Sequence, residues 1–147
     1  MSLLDVRAAL MAKVALTLPD ARTWYENKKK QDAMKKEILP PTDRIYFRVF
    51  YVPNSRPRMA GIGKGARVRH TGMVQIDVCE PRNVGDVPAQ TEVQAILDAF
   101  PAWSSLTSGT QTVIITGAGA SGGGFNDLGA FAVPVRIFWQ ADVTNDL

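Results

Sequence analysis

Two segments, Arg44–Val52 and Val68–Cys79, alternate apolar and polar side chains with the two-residue period of a β-strand. The apolar residues that share a face are Ile45, Phe47 and Val49 in the first segment and Val74, Ile76 and Val78 in the second. The residues between the segments include glycines, prolines and several basic side chains, which is typical of an irregular connection. The sequence therefore predicts two antiparallel strands joined by a long basic loop at about residues 54–67.

Helical spacing of apolar residues predicts two helices. The first ends near Leu16–Leu18, because Pro19 cannot continue it, and the second lies between Pro88 and Pro101. The apolar faces consist of Leu3, Val6, Leu10 and Val14 in the first helix and of Ala89, Val93, Ile96, Leu97 and Phe100 in the second.

Two further strands are predicted at Gln111–Thr116 and Ala132–Gln140, separated by a Gly-rich loop at about residues 117–130. A short aromatic stretch, Thr23–Glu26, fits either a strand or an anchored turn. The order of these elements predicts an α+β fold, with a mostly antiparallel sheet flanked by two main helices. The length of 147 residues predicts one domain that spans residues 1–147.

The counts of cysteine and histidine exclude several kinds of site. Cys79 is the only cysteine and His70 the only histidine, so an internal disulfide and a zinc site built from several such residues are excluded. Any Ser-His-Asp or Cys-His site would have to use His70, and the acidic residues form no evident pair for acid–base chemistry. We expect no enzymatic activity, no cofactor and no metal. With neither a secretory signal nor a long apolar run, we also expect no membrane association and synthesis in a reducing cytoplasm.

Two glycine-rich motifs resemble nucleotide-binding loops. Gly117–Gly122 matches the dinucleotide fingerprint in letters, but a strand rather than a helix is predicted after it, so we favour a flexible loop. Gly61–Gly65 lacks the Gly-Lys-Ser/Thr ending of a phosphate-binding P-loop. Neither motif therefore predicts a cofactor.

Charge is unevenly distributed along the chain. Residues 22–69 hold 13 Lys and Arg against 4 Asp and Glu, whereas the remainder holds 4 basic and 10 acidic residues. The basic side chains could face a polyanion or an acidic protein surface. Alternatively, they belong to a solvent-exposed loop that their charges keep soluble. The absence of interleaved aromatic residues disfavours single-strand binding. The candidate residues of a partner-facing or DNA-facing loop are Arg56, Arg58, Lys64, Arg67 and Arg69.

The order of several motifs resembles that of the small tail terminator proteins of long-tailed bacteriophages. The stretches that carry the resemblance are Thr23–Asn27, Tyr46–Pro53, His70–Val78, the helix that ends in Phe100, and Val133–Asp142. They cover most of the chain. The lysine-rich stretch and the Gly-rich loop are not assigned to that family.

The resemblance implies a tail-terminator-like fold and a structural protein of the virion without enzymatic activity. Such a protein would form a hexameric ring that caps the tail tube, ends its polymerisation and offers a surface for joining the head. Its partners would be copies of itself, the major tail tube protein and the head–tail connector. It would be located in the tail or neck after assembly in the host cytoplasm. The candidate partner-contact residues of the Gly-rich loop are Gly119, Gly122, Gly123, Gly124 and Phe125.

Three alternatives remain open. A head–tail connector or a minor tail protein would have a similar composition, and fold does not fix function. A DNA-binding module would use the basic loop, with non-specific contact to DNA in a central channel as the weaker form of the same idea. An enzyme that binds a nucleotide at Gly117–Gly122 is the third alternative.

Overall fold

A computed structural model of the chain describes residues 3–26, 28, 30–31, 33–41, 44–54, 58–59, 65–81, 87–120, 125–127 and 130–144, with the backbone alone for 58–59, 87, 125–127 and 130. The helices are α1 (Leu3–Thr17) and α2 (Val87–Ala99). The strands are β1 (Thr23–Tyr25), β2 (Tyr46–Pro53), β3 (Arg58–Met59), β4 (Arg67–Pro81), β5 (Ser105–Ser108), β6 (Gln111–Ala120), β7 (Phe125–Asp127) and β8 (Ala130–Thr144).

The strands form one sheet with the order β1-β2-β4-β8-β6-β5, and β3 and β7 add to β4 and β8. β1 runs parallel to β2, while the other pairings between these strands are antiparallel. The predicted α+β class is confirmed. The sheet itself is mixed, because the chain between β1 and β2 returns to the same end of the sheet before β2 begins.

The centre of the sheet is the pair β4 and β8, which are matched from Arg67 opposite Thr144 to Pro81 opposite Ala130. β2 lies on the other side of β4, with Tyr46 opposite Cys79. The predicted antiparallel pair joined by a long connection is therefore confirmed, and β4 extends beyond both ends of the predicted segment. Long antiparallel strands whose alternate residues are β-branched suit this half-buried position.

Both helices pack on one face of the sheet, as their apolar stripes predict. The core contains Val6, Leu10 and Val14 from α1 together with Val93 and Ile96 from α2. The sheet contributes Phe47, Val49, Val74, Ile76, Val78, Val113, Ile115, Val133, Val135, Ile137 and Trp139. Among the described residues, neither helix has the length and hydropathy needed to cross a bilayer.

The side chains between these core positions point to the opposite face, because successive residues of a strand alternate. We call this second side the open face. Towards one end it holds a small cluster of Tyr46, Cys79 and Ala132, on which Trp24 packs. Towards the other end of the same face, Val52 on β2 and Phe138 on β8 are exposed. One face of the sheet is thus covered by helices, and on the open face the side chains of Val52, Arg136 and Phe138 are exposed.

Four features of the structure differ from the sequence prediction. Short strands β3, β5 and β7 were not predicted, and β6 runs on to Ala120, inside the segment predicted as a Gly-rich loop. Pairing with β8 explains the longer strand, because Ala118 and Ala120 lie opposite Ile137 and Val135. Trp103 is exposed, whereas Trp139 is part of the core.

Candidate partner-contact surfaces

Basic side chains and a carboxylate meet at the end of the sheet where β4 begins and β8 ends. Arg69 lies opposite Asp142, and its Nε and Nη2 donate to Oδ1 and Oδ2 of Asp142 at 2.9 and 3.1 Å. Hydrogen bonding to Arg69 lowers the pKa of Asp142, assisted by the charges of Arg69 and Arg67 and opposed by partial burial. A two-pronged contact of this kind fixes both side chains. The positive charge of Arg69 is therefore largely offset within the chain.

The structure brings part of the predicted basic loop to this end of the sheet. The backbone of Arg58 in β3 pairs with that of Arg69, and the side chain of Arg67 is exposed at the start of β4. Arg56 and Lys64 lie outside the described residues. We call the surface around Arg67 and Arg69 the basic end.

A polar cleft of about 260 Å³ opens at the basic end, between the start of β6 and the end of β8. Gln111 is almost fully buried there, and its Nε2 donates to the carbonyl oxygens of Thr112 and Asp142 at 2.9 and 3.1 Å. Its Oε1 accepts no hydrogen bond from the described residues. A buried acceptor without a donor is unfavourable, so this oxygen lowers the stability of the fold locally.

The predicted Gly-rich contact segment pairs with β8 at its described residues, up to Ala120 in β6 and from Phe125 in β7. Gly119 is exposed and lies opposite Arg136, and the backbone of Phe125 lies opposite Ala132. Gly122, Gly123 and Gly124 fall outside the described residues.

This arrangement also bears on the dinucleotide motif. Gly117 and Gly119 lie within β6, and the next described element is the strand β7 rather than a helix. A dinucleotide site needs a helix N-terminus after the glycines to receive the pyrophosphate. The described residues at Gly117–Gly122 do not form that arrangement.

An apolar groove lies on the open face, where β2, β4 and β8 run side by side. Val52 lies opposite Met73, and Met73 lies opposite Phe138, so three large apolar side chains form a row across the sheet. The groove has a volume of about 520 Å³, and Pro53 and Thr116 also line it. Val52 and Phe138 are 41% and 46% exposed, so the groove presents apolar surface to solvent.

A buried ion pair supports the middle of the open face. Nη2 of Arg48 lies 3.1 Å from Oδ2 of Asp77, and the Asp77 side chain is 5% exposed. Nε2 of Gln75 donates to the other carboxylate oxygen at 2.9 Å. Asp77 is therefore held by two donors from the same face, and the pair orders the side chains beside the groove.

The residues with catalytic or metal-binding chemistry are dispersed. Within the part of the chain that the structure describes, no group of three or more His, Cys, Asp and Glu side chains is placed to hold a metal ion. His70 lies on β4 opposite Ala141. Cys79 is buried, and burial raises the pKa of its thiol.

The sequence prediction missed the residues that form the groove and the exposed Trp103. Met73 and Phe138 occupy the alternate positions of β4 and β8, so strand periodicity contained a signal for them. Asp142 was not predicted as the partner of Arg69, because 73 residues separate the two in sequence. Trp103 had no distinguishing signal beyond its position after Pro101.

Comparison with known proteins identifies the class of the chain. A family model described as phage tail terminator protein matches residues 5–139. A solved protein structure that carries no functional name matches with a TM-score of 0.71 and 19% sequence identity, over 99% of each chain. At that identity the match shows a shared fold alone. No curated protein matches the chain.

Proposed function

The chain belongs to the phage tail terminator family, and on that premise we propose that it forms a hexameric ring that caps the tail tube. It is a structural protein of the phage tail. In the proposed role the ring ends polymerisation of the tube and offers the surface on which the head is joined. The observation that carries the proposal is the match of the family model to residues 5–139.

The architecture supports assembly from identical subunits. We propose that residues 1–147 form a single domain that acts as the ring subunit. A ring requires a contact between two different surfaces of the same protein, repeated until it closes. The open face carries exposed apolar side chains at Val52 and Phe138, whereas the helices cover the other face. A neighbouring subunit is a partner that would cover these exposed apolar side chains.

We propose that the basic end and the Gly-rich segment contact other tail proteins. The partners in this account are the major tail tube protein on one side of the ring and the head–tail connector on the other. Arg67 is exposed at the basic end. An acidic partner surface would complement its charge. The protein would thus be part of the virion neck after assembly in the host cytoplasm.

Contact with DNA in the channel is the second candidate for the basic end. The ion pair between Arg69 and Asp142 argues against a strong contact, because it removes one cation from those available to phosphates. If the basic end binds duplex DNA, affinity must fall steeply with salt, and Arg67→Ala must flatten that dependence. Salt-independent or absent binding favours the protein partner.

The proposed function can be tested by tube polymerisation. Purified tail tube protein is allowed to polymerise with and without this protein, and tube lengths are measured by negative-stain electron microscopy. We expect short tubes that stop growing once the protein is added, with extra density at one end. Unchanged elongation and bare tube ends at saturating protein would contradict the proposal.

A further inference from the structure

Trp103 projects from the surface in a backbone conformation that bulky residues rarely adopt. Its φ is 66° and its side chain is 72% exposed. A left-handed conformation is unfavourable for a residue with a large side chain, and it persists only where the surrounding structure fixes the backbone. Both the conformation and the exposure of an indole therefore require an explanation.

Hydrogen bonds to β6 fix this turn. The Trp103 N–H donates to the carbonyl oxygen of Ile115 at 2.6 Å, and the Ile115 N–H donates to the carbonyl oxygen of Ser104 at 2.9 Å. The Ser104 hydroxyl also donates to the carbonyl oxygen of Pro101 at 2.6 Å. The backbone is thus held by the sheet, and the indole is presented outward at the edge formed by β5.

The apolar groove reaches the opposite edge of the sheet. β1 pairs with β2 only at Phe47–Val49, so Val52 and Pro53 lie beyond it on the outer side of β2. These two residues line the groove together with Met73 and Phe138. A volume of about 520 Å³ falls in the range of roughly 300–1,000 Å³ that is typical of pockets for compact organic groups.

Trp103 and the groove lie at the same level along the strands. The backbone N–H of Trp103 is hydrogen-bonded to the carbonyl oxygen of Ile115, and Ile115 lies opposite Trp139. Trp139 in turn lies opposite Gly72, and Gly72 lies opposite Pro53. A second copy placed beside the sheet, without a shift along the strands, therefore brings Trp103 of one copy to the groove of the other.

We propose that Trp103 of each copy inserts into the groove of the next copy, between Val52 and Phe138. The contact joins two different surfaces of the same chain, so it propagates head-to-tail and closes into a ring if the rotation permits. Tryptophan is enriched among residues that dominate interface energies, and a groove excluded from water is its usual position. The inference rests on the proposed ring and names the side chains that hold it together.

Disulfide trapping tests the contact directly. The double variant Trp103→Cys, Val52→Cys is oxidised at assembly concentration and separated without reductant. We expect a ladder of covalent oligomers up to the ring, whereas an equimolar mixture of the two single variants stops at covalent dimers. The control pair Leu16→Cys, Val52→Cys replaces a side chain that is 86% exposed on α1 and should give no ladder. The native Cys79 is present in every variant, and because it is buried it should not contribute disulfides between copies.

Association measurements provide a second, independent readout. Trp103→Ala should raise the concentration of half-assembly by at least about 30-fold, the loss typical of a dominant interface residue. The matched control Leu16→Ala should change it by less than about threefold. Both variants should keep the melting temperature of the dissociated subunit, because both side chains are exposed.

The outcomes separate this inference from the proposed function. Rings or capped tubes that form normally with Trp103→Ala and without the disulfide ladder would overturn the inference and leave the proposed function standing. A wild-type protein that associates neither with itself nor with tail tubes would overturn both. The ladder together with the selective loss of assembly in Trp103→Ala would establish the contact.

Discussion

The indole of Trp139 lies directly over Gly72, and a Cβ built on that glycine would stand 2.7 Å from Cζ2 of the indole. The same ring stacks on Tyr51 with 5.9 Å between the ring centres and an angle of 7°. A side chain from β8 therefore crosses β4 to reach β2. The absence of a side chain at Gly72 makes this crossing possible.

Replacing Gly72 should destabilise the fold. In Gly72→Ala the new Cβ would also stand 2.7 Å from the carbonyl oxygen of Val52 and 2.9 Å from Cα of Pro53, and this backbone cannot move as a side chain can. We expect the free energy of unfolding to fall by about 1–3 kcal/mol, as in other overpacked sites. Urea denaturation of the wild-type protein and the variant measures this loss of unfolding free energy. Gly117→Ala is the matched control, because nothing lies within 4 Å of its Cβ. Equal losses in the two variants would disprove the steric account.

Removing one partner of the buried ion pair should also destabilise the protein. Arg48→Met leaves the carboxylate of Asp77, whose side chain is 5% exposed, without its cation. We expect a loss of about 3 kcal/mol in unfolding free energy. The exposed pair supplies the comparison, since Arg69→Met removes the cation from a carboxylate that water can still reach. The account requires the Arg48 variant to lose clearly more stability than the Arg69 variant.

The contact between Arg69 and Asp142 should make the free energy of unfolding depend on pH in the acidic range. The hydrogen bond from Arg69 lowers the pKa of Asp142 below its ordinary value of 3.8. A lowered pKa in the folded state contributes stability that is present above pH 3.8 and is lost as the pH falls through the folded value. In an NMR titration, Arg69→Met should raise the midpoint of the Asp142 carboxyl. A midpoint that is the same in both proteins would contradict this assignment.

Cys79 should be unreactive in the native protein. Burial raises the pKa of its thiol, and the reactive thiolate is therefore scarce near neutral pH. A thiol-specific reagent at pH 8 should label the protein only as fast as it unfolds, and labelling should become immediate in denaturant. Rapid native labelling would show that the cluster around Tyr46 opens readily.

The main elements could be predicted from sequence because their patterns are local. The alternation in β2, β4 and β8 and the helical spacing in α1 and α2 result from burial of one face, and each pattern is long enough to be unambiguous. The short strands β3, β5 and β7 could not be predicted in the same way. A strand of a few residues is stabilised by the neighbour with which it pairs, as Arg58–Met59 pairs with Val68–Arg69.

The contact surfaces were only partly predictable, for a related reason. The basic residues stood out as a group, but the carboxylate of Asp142 that offsets Arg69 comes from the far end of the chain. Gly117–Ala120 looked like a loop by composition, yet β8 recruits these residues into a strand. The outward position of Trp103 depends on two hydrogen bonds with β6, which composition does not reveal.

Cryo-electron microscopy of isolated tail tubes, after addition of saturating protein, would show whether copies of this chain close into a ring on the end of a tube, as we propose. The account predicts one ring of six copies at a single end of each tube, with the sheet edges of neighbouring copies in contact. Protein bound along the tube wall, or tubes with no ring at either end, would contradict it.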